Sequence, residues 1–166
     1  IVFESHELDV EDNGVIVRYR IDGSMPYTTL TPADEDCRQP NWSPDGEHIL
    51  FQKFNGEQWD IWIMDSDGTH PRQITVGPGN KTDGSFSPDG ECIVYSSDEF
   101  GGEAANLVLT YITNGYPIRL THFEGYDGAP SWSPDGERIA FESYPGDPDD
   151  SPGTTIWVIE VPQLYP

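Results

Sequence analysis

One recurring phrase constrains this chain more than anything else in it. Pro40-Asn41-Trp42-Ser43-Pro44-Asp45-Gly46-Glu47 returns as Gly84-Ser85-Phe86-Ser87-Pro88-Asp89-Gly90-Glu91 and again as Pro130-Ser131-Trp132-Ser133-Pro134-Asp135-Gly136-Glu137. The step from Trp42 to Phe86 is 44 residues, and from Phe86 to Trp132 it is 46. A period of this length marks a stack of supersecondary units. The phrase itself reads as a tight hairpin. Pro presets φ, Asp follows in the bridge region, and Gly takes the positive φ that closes the turn. An apolar strand follows each copy: Ile49-Leu50-Phe51, Ile93-Val94-Tyr95 and Ile139-Ala140-Phe141. Ile1-Val2-Phe3 reads as the same strand of an earlier copy.

Each unit continues with a third strand, as in Val15–Arg20, Asp60–Met64, Asn106–Tyr111 and Thr155–Ile159. The hairpin dipeptides Asp22-Gly23, Asp67-Gly68 and Asn114-Gly115 come next. A short fourth strand then ends in Leu30-Thr31, Ile74-Thr75 or Leu120-Thr121. Four strands in a unit of about 45 residues is the signature of a β-propeller blade. No segment keeps a helical period. The expected fold is therefore all-β: blades of four antiparallel strands, with an incomplete ring in one chain. The expected division of the single domain 1–166 is a partial blade 1–35, blades 36–80 and 81–126, and a partial blade 127–166. On this division the first blade starts on its second strand and the last ends on its third. The strand count therefore predicts a homo-oligomer that covers the outer blade faces. Trp42, Trp62, Trp132 and Trp157 follow the repeat and are expected in the core.

These features carry a resemblance. The Trp-Ser-Pro-Asp-Gly phrase, the Ile-x-Phe strand after it, the Ile61-Trp62-Ile63-Met64-Asp65 strand and the closing Arg72-Gln73-Ile74-Thr75 and Arg119-Leu120-Thr121 resemble the TolB-like β-propeller repeat. The resemblance runs over nearly the whole chain. It implies a propeller, and a periplasmic or extracellular bacterial location. It implies little about activity, because the motif residues build the blade. Some relatives use such propellers as the non-catalytic part of serine peptidases, or as lyases.

Charge narrows the partners. Eight Lys and Arg face thirty Asp and Glu, a net charge of −22. Phosphate backbones and anionic membranes need clustered Lys and Arg, so no nucleic-acid partner is expected and an anionic membrane is a poor one. No apolar run reaches the roughly 18 residues that span a bilayer, so no membrane insertion is expected. Strand alternation places the fourth-to-first and second-to-third connections of the blades on one rim. That rim is acidic: Glu4, Glu7, Asp9, Glu11, Asp12, Asp34, Glu35, Asp36, Asp98, Glu99, Glu103, Glu124, Asp127, Asp147, Asp149 and Asp150, with Phe123 and Tyr126 interleaved. Trp59 breaks the repeat beside a loop. The candidate ligand contacts are Trp59, Phe123, Tyr126, Asp127, Asp98 and Glu99.

No catalytic group is expected. Asp45, Asp89 and Asp135 recur in the turn, where a local hydrogen-bonding role outweighs a catalytic one. There is no Gly-x-Ser-x-Gly elbow, phosphate loop or His-x-His pattern, so no cofactor and no metal site is expected. The stretch 146–153 is oxygen-rich enough for Ca²⁺ but lacks a spaced ligand loop, and a solvated loop is the stronger reading. Cys37, in an acidic loop, and Cys92, in a strand, are not paired. The expected function is non-enzymatic binding of a protein or peptide through the acidic rim. A carbohydrate-binding or carbohydrate-cleaving propeller, or a purely structural half-ring, are the alternatives.

Overall fold

The computed structural model describes residues 1–6, 13–24, 26–101, 104–114, 116–144 and 153–162. Among them there is no helix, and the strands form four antiparallel sheets. The first contains β1 (Val2–Ser5), β2 (Val15–Arg18) and β3 (Thr28–Thr29). The second contains β4 (Cys37–Trp42), β5 (His48–Phe54), β6 (Trp59–Asp65) and β7 (Arg72–Gln73). The third contains β8 (Lys81–Phe86), β9 (Cys92–Ser97), β10 (Asn106–Tyr111) and β11 (Pro117–Arg119). The fourth contains β12 (Tyr126–Trp132), β13 (Arg138–Tyr144) and β14 (Thr155–Glu160). In every sheet the strands pair in chain order, as hairpins must.

The repeated phrase closes the same way three times. Gly46, Gly90 and Gly136 have φ of 75°, 76° and 75°. Their N–H groups donate to the carbonyls of Ser43, Ser87 and Ser133 at 2.9–3.0 Å. Each Ser hydroxyl donates to the turn Asp at 2.5 Å and accepts from the backbone N–H of the next strand's first residue, His48, Cys92 or Arg138, at 2.9–3.0 Å. Each Asp also accepts from the Glu two residues on. These donors, the Ser hydroxyl first, hold Asp45, Asp89 and Asp135 below the usual carboxylate range. The three aspartates are turn locks, each with one carboxylate oxygen engaged by two donors of its own turn.

The Thr at the end of the fourth strand is a second lock. Thr31, Thr75 and Thr121 accept the backbone N–H of Ile16, Ile61 and Leu107, each at 2.9 Å. This explains why the sequence repeats Leu-Thr and Ile-Thr at these points.

Apolar clusters fill the spaces between neighbouring sheets. Ile16, Ile49, Phe51 and Met64 pack between the first and second sheets, with Cys37 beside them. Leu50, Ile61, Ile63, Phe86, Ile93 and Val108 pack between the second and third. Val94, Leu107, Ile139 and Phe141 pack between the third and fourth. Phe86 is buried and Trp42 and Trp132 are half-buried, in line with equivalent inward-facing rings. Two expectations need correcting. Cys37 is not in a loop: it opens β4 and is fully buried. Trp157 is not core. It is 58% exposed, because the described residues leave the flank of β14 uncovered.

Candidate functional site

Hydrogen bonds between connections bring the loops of the acidic rim to one end of the sheets. Asn80, just before β8, donates its N–H to Asp98, after β9, at 2.6 Å. Cys37 donates its N–H to the carbonyl of Gly14 at 2.7 Å. The turn phrases lie at the other rim, where Ser66 and Ile112 donate to Glu47 and Glu91. Of the acidic residues expected on the rim, Glu7, Asp9, Glu11, Asp12, Glu103, Asp147, Asp149 and Asp150 lie outside the described residues, as does most of the stretch 146–153.

The six candidate contacts fall into three places. Trp59 opens β6 half-buried, its ring 5.3 Å from that of Phe54 and its face 5.3 Å from the Arg38 guanidinium. Arg38 is in turn held by Asp36 at 2.8 Å. This ring already has a cation.

Asp98 and Glu99 sit where the second and third sheets meet. Asp98 accepts both the backbone and the side-chain N–H of Asn80. Glu99 accepts from the Tyr95 hydroxyl at 3.2 Å, and burial pushes its carboxyl above the usual range. Beneath them lies a cation that the sequence did not advertise. Lys81, fully buried at the start of β8, donates to the carbonyls of Gly77 and Pro78 at 2.7 and 3.0 Å and stands 3.4 Å from Asp60. Asp60, also buried, accepts from Thr75, Asn55 and Gln58 as well. A buried ion pair persists only with this kind of complete bonding.

Phe123, Tyr126 and Asp127 sit where the third and fourth sheets meet. Only Phe123 lies in the connection, while Tyr126 and Asp127, expected there with it, are the first two residues of β12, because the strand pairing with β13 extends back to Tyr126. Tyr126 stacks on Tyr144 at 5.3 Å and donates its hydroxyl to Asp83 at 3.1 Å. Burial, then the Asp83 charge, raises its phenol well above the ordinary value. Asp127, the next residue along the strand, faces the opposite side. There it joins Phe123, His122, Phe141, Trp157 and Ile159 around a cleft of about 490 Å3. Asp127 is 1% exposed, and among the described residues its Oδ1 meets no hydrogen-bond donor.

Sequence reasoning also missed a strained feature shared by β4, β8 and β12. Each carries a bulge, with Gln39, Asp83 and Ala129 at φ of 50°, 57° and 46°. The backbone N–H of Gln39 is satisfied by Glu4 at 2.6 Å, and that of Asp83 by Gln52 at 3.2 Å. Three unlike residue types at the bulge leave no signal beyond their equal position in the repeat.

Both cysteines are free and buried, and burial pushes the Cys37 thiol up to about 12 and the Cys92 thiol up to about 11, so neither is a thiolate nucleophile. Among the described residues no cluster of His, Cys, Asp and Glu has the number of ligands to hold a metal ion. No described helix is long and apolar enough to cross a membrane.

Comparison with known proteins agrees with this architecture. Residues 26–105 match the family model for the TolB beta propeller domain. An uncharacterized protein of Agrobacterium fabrum is 30% identical over 132 residues, covering 77% of this chain and 44% of that protein. The Tol-Pal system protein TolB of Francisella tularensis is 30% identical over 113 residues, covering 68% of this chain and 25% of that protein. The chain thus spans less than half the length of these relatives. Among solved structures, a TolB-like protein from Agrobacterium tumefaciens superposes with a TM-score of 0.81 at 21% identity, over 96% of this chain and 56% of that one. The fold alone is shared with a puromycin hydrolase (TM-score 0.65, 17% identity, 90% of this chain and 22% of that one) and with an oligogalacturonate lyase in complex with manganese (0.61, 16%, 87% and 40%).

Proposed function

Because the chain is a TolB-like β-propeller repeat protein, we propose that it is a non-enzymatic binding module that takes a basic protein or peptide on its acidic loop rim. One observation carries this reading. The cations on the rim are engaged within the protein: Arg38 by Asp36, Lys53 by Glu35 at 2.6 Å, Lys81 by Asp60, and Arg119 over the Phe100 ring and on the Thr121 carbonyl. Asp34, Glu57 and Glu124 meanwhile stand exposed. The charge left for a partner is negative, in a chain of net charge −22. Such a surface steers basic partners toward it and does so less as salt rises. Blade-like scaffolds with loops at one rim suit this use. The turn aspartates, already bonded within their turns, support the non-enzymatic reading.

The test is fluorescence anisotropy with a Lys/Arg-rich peptide and its Glu-rich counterpart at low and high salt. The basic peptide should bind, weaken with salt, and weaken further against an Asp34→Lys, Glu124→Lys variant. Equal affinity for the two peptides, or none for the basic one, would reject the reading.

The alternative is carbohydrate binding or cleavage. It is favoured by the exposed Phe123 and Trp157 rings beside a carboxylate, and by the fold shared with the oligogalacturonate lyase. An anionic sugar chain, however, meets a negative rim, which ranks this reading second. A periplasmic or extracellular location belongs to the same proposal. So does a homo-oligomer, resting on the apolar face where Ile156 and Val158 are 74% and 58% exposed. Burying such a face is favourable at about 25 cal/mol per Å2. Light scattering that gives the mass of one copy at every salt concentration would remove the oligomer; the half-ring reading falls with it.

A further inference from the structure

We propose that the cleft around Asp127 is a receptor for a lysine side chain of a protein partner, with the ammonium on Asp127 and the methylene stem between Phe123 and Trp157. The proposal rests on the reading of the rim as a site for a basic partner, and specifies one pocket within it.

The argument is an internal comparison. Lys81 opposes Ser97 across β8 and β9, and Asp127 opposes Ser143 across β12 and β13, so the two hold the same place in their blades. At the Lys81 position the protein supplies its own ammonium to the carboxylate of the preceding sheet, Asp60. The corresponding residue of the next sheet is Asn106, whose amide is occupied by the backbone of Phe123 and by Thr121. So at the second junction an acidic side chain stands in place of the basic one, and among the described residues no Lys or Arg pairs with it. A carboxyl oxygen buried without a donor is costly, and a cationic donor arriving from outside relieves that cost.

The cleft selects the form of that cation. Its walls are Phe123, Phe141, Trp157 and Ile159, apolar surface suited to a methylene stem. The Trp157 wall is preset: its indole N–H donates to Thr155 Oγ1 at 2.8 Å, and that hydroxyl donates to the Ser143 carbonyl at 3.1 Å. An ammonium near the indole face gains from the ring quadrupole as well. Lysine fits better than arginine, because a compact point charge needs one buried oxygen whereas the planar guanidinium fork needs paired acceptors.

The experiment titrates acetylated Gly/Ser nonapeptides that carry one lysine, norleucine or arginine, read by calorimetry and by the NMR signal of the Trp157 indole N–H, which Trp157→Phe assigns. The lysine peptide should bind about tenfold tighter than the norleucine peptide, the discrimination expected of one charged hydrogen bond. It should also outbind the arginine peptide and shift the Trp157 signal. Asp127→Asn should abolish the lysine preference, and Trp157→Ala, at an exposed side chain, should weaken lysine binding without unfolding the protein. If Lys/Arg-rich peptides bind the rim but Asp127→Asn and Trp157→Ala bind lysine as the parent does, the pocket is wrong and the rim reading stands. If no basic peptide binds at all, both fall. A preference for the norleucine peptide would also overturn the pocket.

Discussion

The junction of the second and third sheets and the junction of the third and fourth share one backbone plan and differ in chemistry at one position. In both, a strand with a left-handed bulge packs against the preceding sheet, and a Thr lock ties down the fourth strand of that sheet. At the first, Lys81 and Asp60 fill the space beneath the rim with a fully bonded ion pair. At the second, Asp127 faces an apolar cleft with an unanswered oxygen. A repeat thus fixes geometry while leaving single positions free to close one junction and open the next.

The largest test removes the closing cation. Lys81→Met strands Asp60 in a buried site, and breaking such a pair costs about 3–5 kcal/mol. The bonds from Thr75, Asn55 and Gln58 should keep the loss near the low end. Urea melts would read it as a lower midpoint with an unchanged slope. A loss under about 1 kcal/mol would mean that the ion pair is not what closes this junction.

Next in size is Gly128→Ala at the open junction. A Cβ there would lie 1.9 Å from the Tyr126 hydroxyl oxygen, so the ring must leave its place over the glycine and its bond to Asp83. Overpacking of this kind costs about 1–3 kcal/mol. A thermal melt matching the parent would show that Tyr126 moves freely, and would remove it from the structure of the junction.

Asp127→Asn should act with the opposite sign to Lys81→Met. It replaces a buried carboxyl whose Oδ1 has no donor among the described residues, so stability should hold or rise, by up to about 1 kcal/mol. A clear destabilisation would mean that Asp127 is paired within the protein, and the contrast between the junctions would collapse.

These positions also show what the sequence made legible. The hairpin phrase names its own geometry, since Ser-Pro-Asp-Gly encodes the donors, the acceptor and the positive φ. The blade order followed from it. Phe123 and Asp127 were readable as rim residues because they fall in the acidic, aromatic stretch between the fourth strand of one blade and the next turn phrase. That they share a cleft, while Tyr126 between them turns away, follows from strand alternation once β12 is known to begin at Tyr126. Lys81 was hidden: a buried lysine looks like any solvated one until its partners are in view, the Gly77 and Pro78 carbonyls just before it in the chain and Asp60 of the neighbouring sheet. Trp157 misled for the opposite reason. Its repeat position matches the half-buried Trp62, but burial depends on neighbours that the repeat does not encode.

The smallest test uses pH to separate the closed junction from the turns. Glu99 is raised above its ordinary value of 4.5, chiefly by burial. Its folded form therefore holds a proton that the unfolded chain has already released. Stability falls as pH climbs from the ordinary value through the raised one, and the penalty is absent below. Asp89 is depressed below 3.8, chiefly by the Ser87 hydroxyl. Its contribution is present above 3.8 and is lost as pH falls through the depressed value. Glu99→Gln, which can still accept from Tyr95, should flatten the decline on the upper side. Asp89→Asn should flatten the loss on the acid side alone. Each change should stay below about 1 kcal/mol, since both groups remain open to solvent screening. Denaturant midpoints from pH 2.5 to 7 would resolve the two. A Glu99→Gln profile parallel to that of the parent above pH 4.5 would mean that Glu99 is solvated, and that the closed junction is wetter than its bonding implies.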